Sequence, residues 1–190
     1  MSKIVIGLVG PIAAGKSTTV EILKKKGFVS YSLSDRIREE IQNRNLEITR
    51  ETLNQISNDL RETVGADVFA QKTSELIEKE NPEKIIIDSI RNPQEINYLK
   101  NHFEMYVIGL IAPQEKRFDF FANRGTNVAG ITTWEEFKAL DDMELSQSGE
   151  YKQQVQACLD LADIVIENTG SVEELEAKLE EILKNLGISL

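Results

Sequence analysis

The chain has 190 residues, 22 Lys+Arg against 32 Asp+Glu for a formal net charge of −10, one Cys, one His and 41% hydrophobic residues. A chain of that length buries roughly 70% of the surface its unfolded form exposes. The acid excess argues against a long nucleic acid or a membrane surface as partner, unless charge is strongly segregated. A single cysteine makes neither an internal disulfide nor a Cys-rich zinc site, so a reducing compartment is expected.

The first apolar stretch, Ile4 to Gly15, is too short for the roughly 20 residues that span a bilayer and is broken by Gly10-Pro11. Lys3 before it and Ala13-Ala14 within it imitate a signal peptide, but the run into Gly15-Lys16-Ser17 explains it better. The expected location is the cytoplasm.

Ile4–Val9 opens a series of short Ile- and Val-rich runs that continues with a weaker Phe28–Tyr31, then Ile85–Ile87, Tyr106–Ile111 and Ile164–Ile166. Such near-continuous runs suit parallel strands covered on both faces. Helix starts lie between them. Asn92-Pro93-Gln94-Glu95, Thr133-Trp134-Glu135-Glu136 and Ser171-Val172-Glu173-Glu174 all place a capping side chain before an acidic first turn. The last helix sets Val172, Leu175, Leu179, Ile182, Leu183 and Leu186 on one stripe. Alternating strands and helices predict an α/β fold, a doubly wound parallel sheet of five strands with helices on both faces. One domain over 1–190 is expected, with long spacers at 33–81 and 113–149. Spacers of that kind at strand ends carry substrate contacts and lids.

Gly10-Pro11-Ile12-Ala13-Ala14-Gly15-Lys16-Ser17 matches G-x-x-x-x-G-K-[ST] between a strand and a helix, the context that motif demands. Glycines let the backbone curl so that successive N–H groups meet phosphate oxygens, and the helix N-terminus adds partial positive charge. Gly10, Ala13, Ala14, Gly15, Lys16, Ser17 and Thr18 are therefore the expected ATP contacts. Lys16 reaches for the β- and γ-phosphates and the Ser17 hydroxyl for Mg²⁺. The architecture is then a three-layer P-loop NTPase fold.

The remaining motifs resemble a known group. Leu33-Ser34-Asp35-Arg36-Ile37-Arg38 resembles the segment of adenylate kinases whose arginine holds the acceptor's phosphate, and Asp35 sits where dephospho-coenzyme A kinases place a carboxylate near the acceptor. That resemblance implies Ser34, Asp35 and Arg38 as acceptor contacts. Asp88, closing Ile85-Ile86-Ile87-Asp88, has the placement of a Walker B carboxylate able to hold Mg²⁺. Arg91 resembles the arginine of the adenylate-kinase Asp-Gly-x-Pro-Arg segment, one residue nearer and without the proline. Arg117 and Arg124 resemble the lid arginines of nucleotide kinases, with Lys16 and Arg124 neutralising the migrating phosphoryl group. Asn168, in Asn168-Thr169-Gly170-Ser171, resembles the loop that lies against the nucleotide base in dephospho-coenzyme A kinases and archaeal adenylate-kinase-related proteins; the same four residues also suit any strand-to-helix turn. Glu144-Leu145-Ser146 resembles the acidic lid segment of the archaeal proteins, with Met143 where they carry an arginine.

Other residues have plainer readings. His102 is a helix-end histidine, Cys158 a core residue, and Trp134 and Phe137 staple a short helix. Lys24-Lys25-Lys26 complements a helix C-terminus. Asn54, Asn58 and Arg61 recur at i, i+4 and i+7 and line a pocket or a polar helix face. The expected function is transfer of the ATP γ-phosphate to a small nucleotide acceptor, a (deoxy)nucleoside monophosphate or, with Asp35 as base, a hydroxyl as in dephospho-coenzyme A kinases. An NTP-binding switch or regulatory domain is the alternative of another class. Lys16, Arg38, Arg91, Arg117 and Arg124 all map to one side of the sheet, which would place a cationic pocket inside an acidic exterior.

Overall fold

The computed structural model describes residues 3–123, 131–146 and 149–188. Five strands, β1 (Ile4–Val9), β2 (Val29–Ser32), β3 (Lys84–Asp88), β4 (Met105–Ile111) and β5 (Ile164–Glu167), form one parallel sheet in the order β2-β3-β1-β4-β5. The expected runs and the observed strands agree to within a residue or so. Phe28, one residue ahead of β2, is buried in the core.

Each central strand alternates its side chains between two cores. Ile6, Leu8, Ile86, Ile108 and Leu110 point to one face, where α1 (Lys16–Lys25) and α9 (Val172–Asn185) cover them. Val5, Val9, Ile85, Ile87 and Val107 point to the other, under α2 (Leu33–Asn43), α3 (Arg50–Thr63), α4 (Val68–Glu80), α5 (Pro93–His102) and α8 (Val155–Asp160). Burying each of these side chains contributes about 1.5–3 kcal/mol relative to leaving it exposed. Both faces being apolar is why the strands read as continuous runs.

The first long spacer holds three helices, α2, α3 and α4, joined by short connections. The second holds α6 (Gln114–Ala122) and α7 (Trp134–Ser146). All three capping signals are realised. Asn92 accepts from Gln94 N while Glu95 answers the Asn92 N–H. Thr133 and Glu136 exchange the reciprocal pair, and Ser171 accepts from Glu174 N. In α9 the stripe holds at Leu175, Leu179 and Leu183, but Val172 is 53% exposed. Val172 lies at the first turn of α9, where it lines a cavity instead of the core.

Candidate functional site

The site lies at the carboxyl ends of the strands. The chain leaves β1 for the β2–β3 side and later crosses to β4 and β5, so β1 marks the topological switch point, and the glycine-rich loop follows it directly. The loop's path needs its glycines. Gly10 has φ 144°, and a methyl group there would run into the Leu110 carbonyl oxygen. Gly15 has φ 108°, and a methyl group there would collide with the Asn168 amide. Ala13 adopts φ 59°, a conformation that a residue with a Cβ keeps only when its surroundings hold it.

Side chains from three directions occupy the loop's carbonyls. Lys16 Nζ donates to the Gly10 and Pro11 carbonyls, both at 2.7 Å. Arg117 Nη1 donates to the Ile12 carbonyl at 3.1 Å, and Asn168 Nδ2 to the Ala14 carbonyl at 3.1 Å. Holding those carbonyls fixes the peptide planes of the loop, whose N–H groups are the kind that bind phosphate. Ser17 is exposed in the first turn of α1. Asp88 ends β3 in register with Ser32, and its Oδ1 is buried with no hydrogen-bond partner among the described residues. A buried carboxylate oxygen left unsatisfied is costly, and a hydrated divalent cation would satisfy it, so the donor set of Ser17 and Asp88 fits Mg²⁺.

Two cavities flank this loop. On the β4–β5 side, Ala13, Gly15, Thr18, Asn168, Val172 and Leu175 contribute to a cavity of about 180 Å³ with no charged side chain among the described residues that line it. Asn168 is buried beside it, with its amide committed to the loop and its backbone N–H to the Ile111 carbonyl. On the β2–β3 side a second cavity, about 90 Å³, brings Ser34, Arg38, Arg61, Ser89, Arg91 and Gln153 together over Leu33, Ile37, Leu53 and Phe69.

In the second cavity Arg38 donates to Ser34 Oγ and Asp35 Oδ1, each at 2.9 Å. Asp35 is thus paired on the exposed first turn of α2 and does not line the cavity. Ser32 and Ser34 both donate to Ser89 Oγ, at 3.0 and 3.3 Å. Ser89 holds φ 60°, which swings the chain after Asp88 back toward α2. Arg91 Nη1 meets Gln153 Oε1 at 2.9 Å, and its backbone N–H meets Glu95 Oε2 at 2.8 Å. Arg61 is 2% exposed; it joins Glu95 at 2.9 Å and Ser57 at 2.5 Å, and lies 5.1 Å above the Phe69 ring. Cys158 packs in the core behind this pair. Burial, and then the charge of Glu95, push its thiol pKa upward.

Arg117 differs from its expected lid role in where it lies. It is 4% exposed, forms a two-pronged ion pair with Asp141 of α7, and donates through Nε to the Ala112 carbonyl at 3.0 Å. Arg124 falls outside the described residues. Glu144 receives Arg50 of α3 at 3.0 Å. Of the three polar positions on α3, Asn54 and Arg61 line the second cavity while Asn58 faces elsewhere, because i+4 has rotated past the cavity's edge. Sequence patterns did not mark Ser89, Gln153 or Asp141. Only the adjacency of Ser89 to the strand-end Asp88 carried a signal.

Fold and loop together define a P-loop domain with a kinase-like architecture, for which nucleotide binding is implied. The family profile described as "AAA domain" matches residues 6–144. A UPF0200 protein of Methanocaldococcus jannaschii is 32% identical over 189 residues, spanning 96% of this chain and 92% of that one. The chain belongs to the UPF0200 family and carries its P-loop in an AAA domain. Among solved structures, TT1252 from Thermus thermophilus superposes with a TM-score of 0.62 at 21% identity, over 98% and 99% of the two chains. Dephospho-CoA kinase from Campylobacter jejuni does so with a TM-score of 0.55 at 20% identity, over 98% of each. At those identities the likeness is one of fold. No helix of the described residues is long and apolar enough to cross a membrane.

Proposed function

We propose that this chain is an ATP-dependent phosphotransferase that moves the γ-phosphate of ATP to a small phosphorylated acceptor, a (deoxy)nucleoside monophosphate being the preferred class. The observation that carries this reading is the pair of unlike cavities on either side of one phosphate loop. The neutral cavity suits a nucleobase, and the arginine-bearing cavity suits an anion. A loop between the two can hand a phosphoryl group from one to the other, and positioning of that kind is most of what phosphoryl transfer requires.

No carboxylate lines the second cavity among the described residues, and Asp35 is engaged by Arg38. A hydroxyl acceptor needs a base at its proton, whereas a phosphate oxygen is already ionised near neutral pH, so this lining favours a phosphate acceptor. In this reading Arg38 and Arg91 hold the acceptor, with Ser34 beside them. Gly10 through Thr18 hold the triphosphate, and Arg124 supplies a cation from the lid. Ser17, and Asp88 through water, would hold Mg²⁺, which when bound neutralises charge on the β- and γ-oxygens.

The test is ADP release from ATP-Mg²⁺ against a panel of ribo- and deoxyribonucleoside monophosphates together with dephospho-coenzyme A. A rate that rises with one monophosphate and not with dephospho-coenzyme A is the expected result. Background rates across the whole panel would remove the kinase reading and leave the switch class. Stimulation by dephospho-coenzyme A alone would return Asp35 to the role of base.

A further inference from the structure

We propose that Arg117 is a positioning residue of the phosphate loop, acting through the Ile12 carbonyl, and that it is not a ligand of the phosphates; this rests on the nucleotide-binding reading of the loop. All three nitrogens of its guanidinium are engaged, through four hydrogen bonds. Nε serves the Ala112 carbonyl, Nη1 serves Ile12 and Asp141, and Nη2 serves the other Asp141 oxygen. Gln114 also donates to Asp141, at 2.7 Å, so the carboxylate is itself held in place. Swinging Arg117 out to a phosphate would leave Asp141, which is fully buried, without its counter-charge.

The effect on the loop follows from peptide geometry. Among the described residues no peptide bond is cis, and in a trans peptide the carbonyl of one residue and the N–H of the next point in opposite directions. Arg117 draws the Ile12 carbonyl outward, toward α6, and thereby aims the Ala13 N–H the other way. Ala13 lines the nucleotide-side cavity; Arg117 does not. The strained φ of Ala13 is the other half of the same arrangement, since a left-handed alanine persists only where neighbours hold its peptide. Ala13, Phe121 and Phe137 form one buried apolar cluster over the same spot, so α6 and α7 dock on the loop as a unit.

Backbone N–H groups of such a loop cradle the phosphates that ATP and ADP share. A positioning residue therefore weakens both nucleotides alike when lost, whereas a ligand of the migrating phosphoryl group costs ATP far more than ADP. Three variants of the full chain separate these roles: Arg117→Lys, Asp141→Asn, and Arg117→Met with Asp141→Leu, which removes the charges together so that no lone buried charge opposes folding. Binding of ATP and of ADP is measured by calorimetry well below each variant's melting temperature, with circular dichroism confirming the fold.

All three variants are expected to weaken ATP and ADP by the same factor, about tenfold, the size of one charge-assisted hydrogen bond. Asp141→Asn is the sharpest arm. A phosphate-contacting Arg117 released from its carboxylate would bind ATP more tightly, and that rise would overturn the proposal. So would an ATP loss in Arg117→Lys that ADP does not share, or unchanged affinities in all three. Lys16→Ala separates failures: if it weakens both nucleotides while the Arg117 variants do not, only the positioning role falls. If the unaltered protein binds neither nucleotide, the loop reading falls and takes this inference with it.

Discussion

The two sides of the molecule to which we assign nucleotide and acceptor are built in opposite ways. The nucleotide side is nine consecutive residues, Gly10 through Thr18, with carbonyls pinned by Lys16, Arg117 and Asn168 and a neutral cavity beside them. The acceptor side is assembled from α2, α3, α4, the segment after β3 and the segment before α8, and it concentrates three arginines. Two of those arginines already face a carboxylate, Arg38 with Asp35 and Arg61 with Glu95, while Arg91 faces the neutral Gln153. In the proposed reading, the ligand part common to many proteins is met by backbone and a local motif, and the part that defines specificity by side chains gathered over long sequence distances.

The largest expected effect breaks the nucleotide side. Lys16→Ala removes the loop's own cation together with its hold on Gly10 and Pro11. Transfer should fall about a thousandfold, ~4 kcal/mol of transition-state stabilisation, with the fold retained by circular dichroism. A variant that keeps most of its turnover in an ADP-release assay would dissolve the distinction between the two sides.

Next in size is a stability effect on the acceptor side. Arg61→Met strands Glu95, which is fully buried, and an uncompensated buried charge costs about 3–4 kcal/mol. Urea unfolding should show that loss, and pairing the change with Glu95→Gln should recover part of it. Recovery will be incomplete, because Glu95 also accepts the Arg91 and Asn92 N–H groups. An unaltered urea midpoint in the single variant would mean that the pair is not what braces this cavity.

A smaller effect sharpens the comparison without disturbing the fold. Arg91→Ala should raise the acceptor KM about tenfold, near 1.4 kcal/mol, and leave the ATP KM in place. Arg38→Ala should do less, since Arg38 is about half exposed and shares its charge with Asp35. Equal rises in both KM values would show that the two cavities are one site.

The same contrast explains what could be read from the amino-acid order. The strands, the three helix caps and the phosphate loop depend on neighbours within a few residues, and each is legible; the parallel pairing joins strands far apart in sequence and is legible only through their unbroken apolar runs and the helices between them. Asp88 was legible because it ends a strand beside that loop. Arg117 stands out by its resemblance to a lid arginine, but its burial depends on Asp141, 24 residues on, and no local pattern joins them. Asn168 was placed beside the nucleotide by motif, yet its hold on Ala14 spans 154 residues and shows only in three dimensions. Arg61 sat at helical spacing with Asn54 and Asn58. Only the contacts of Arg61 with Glu95 of α5 and the Phe69 ring of α4 decide that Arg61 turns inward and Asn58 does not.

The smallest effect probes the core behind the acceptor side. Burial and the nearby Glu95 raise the Cys158 pKa above the usual thiol range, so the folded state keeps a proton that the unfolded chain releases above about pH 8.5. The sign follows: stability from this group is fully present below that pH and is lost as pH rises through it, by at most ~1.4 kcal/mol per pH unit. Urea midpoints at pH 8, 9 and 10 should fall for the unaltered protein more steeply than for Cys158→Ala, and the difference between the two isolates the thiol. Tyr31, pushed up to about 12 by burial and by Glu80, acts in the same direction from about pH 10 upward, so the series stops there. In native conditions the thiol should also resist a colorimetric thiol reagent until urea opens the core. Rapid native labelling, or parallel pH slopes for the two proteins, would mean that the packing behind Arg61 and Glu95 opens easily. The acceptor cavity would then lack the rigid wall that its arginines need.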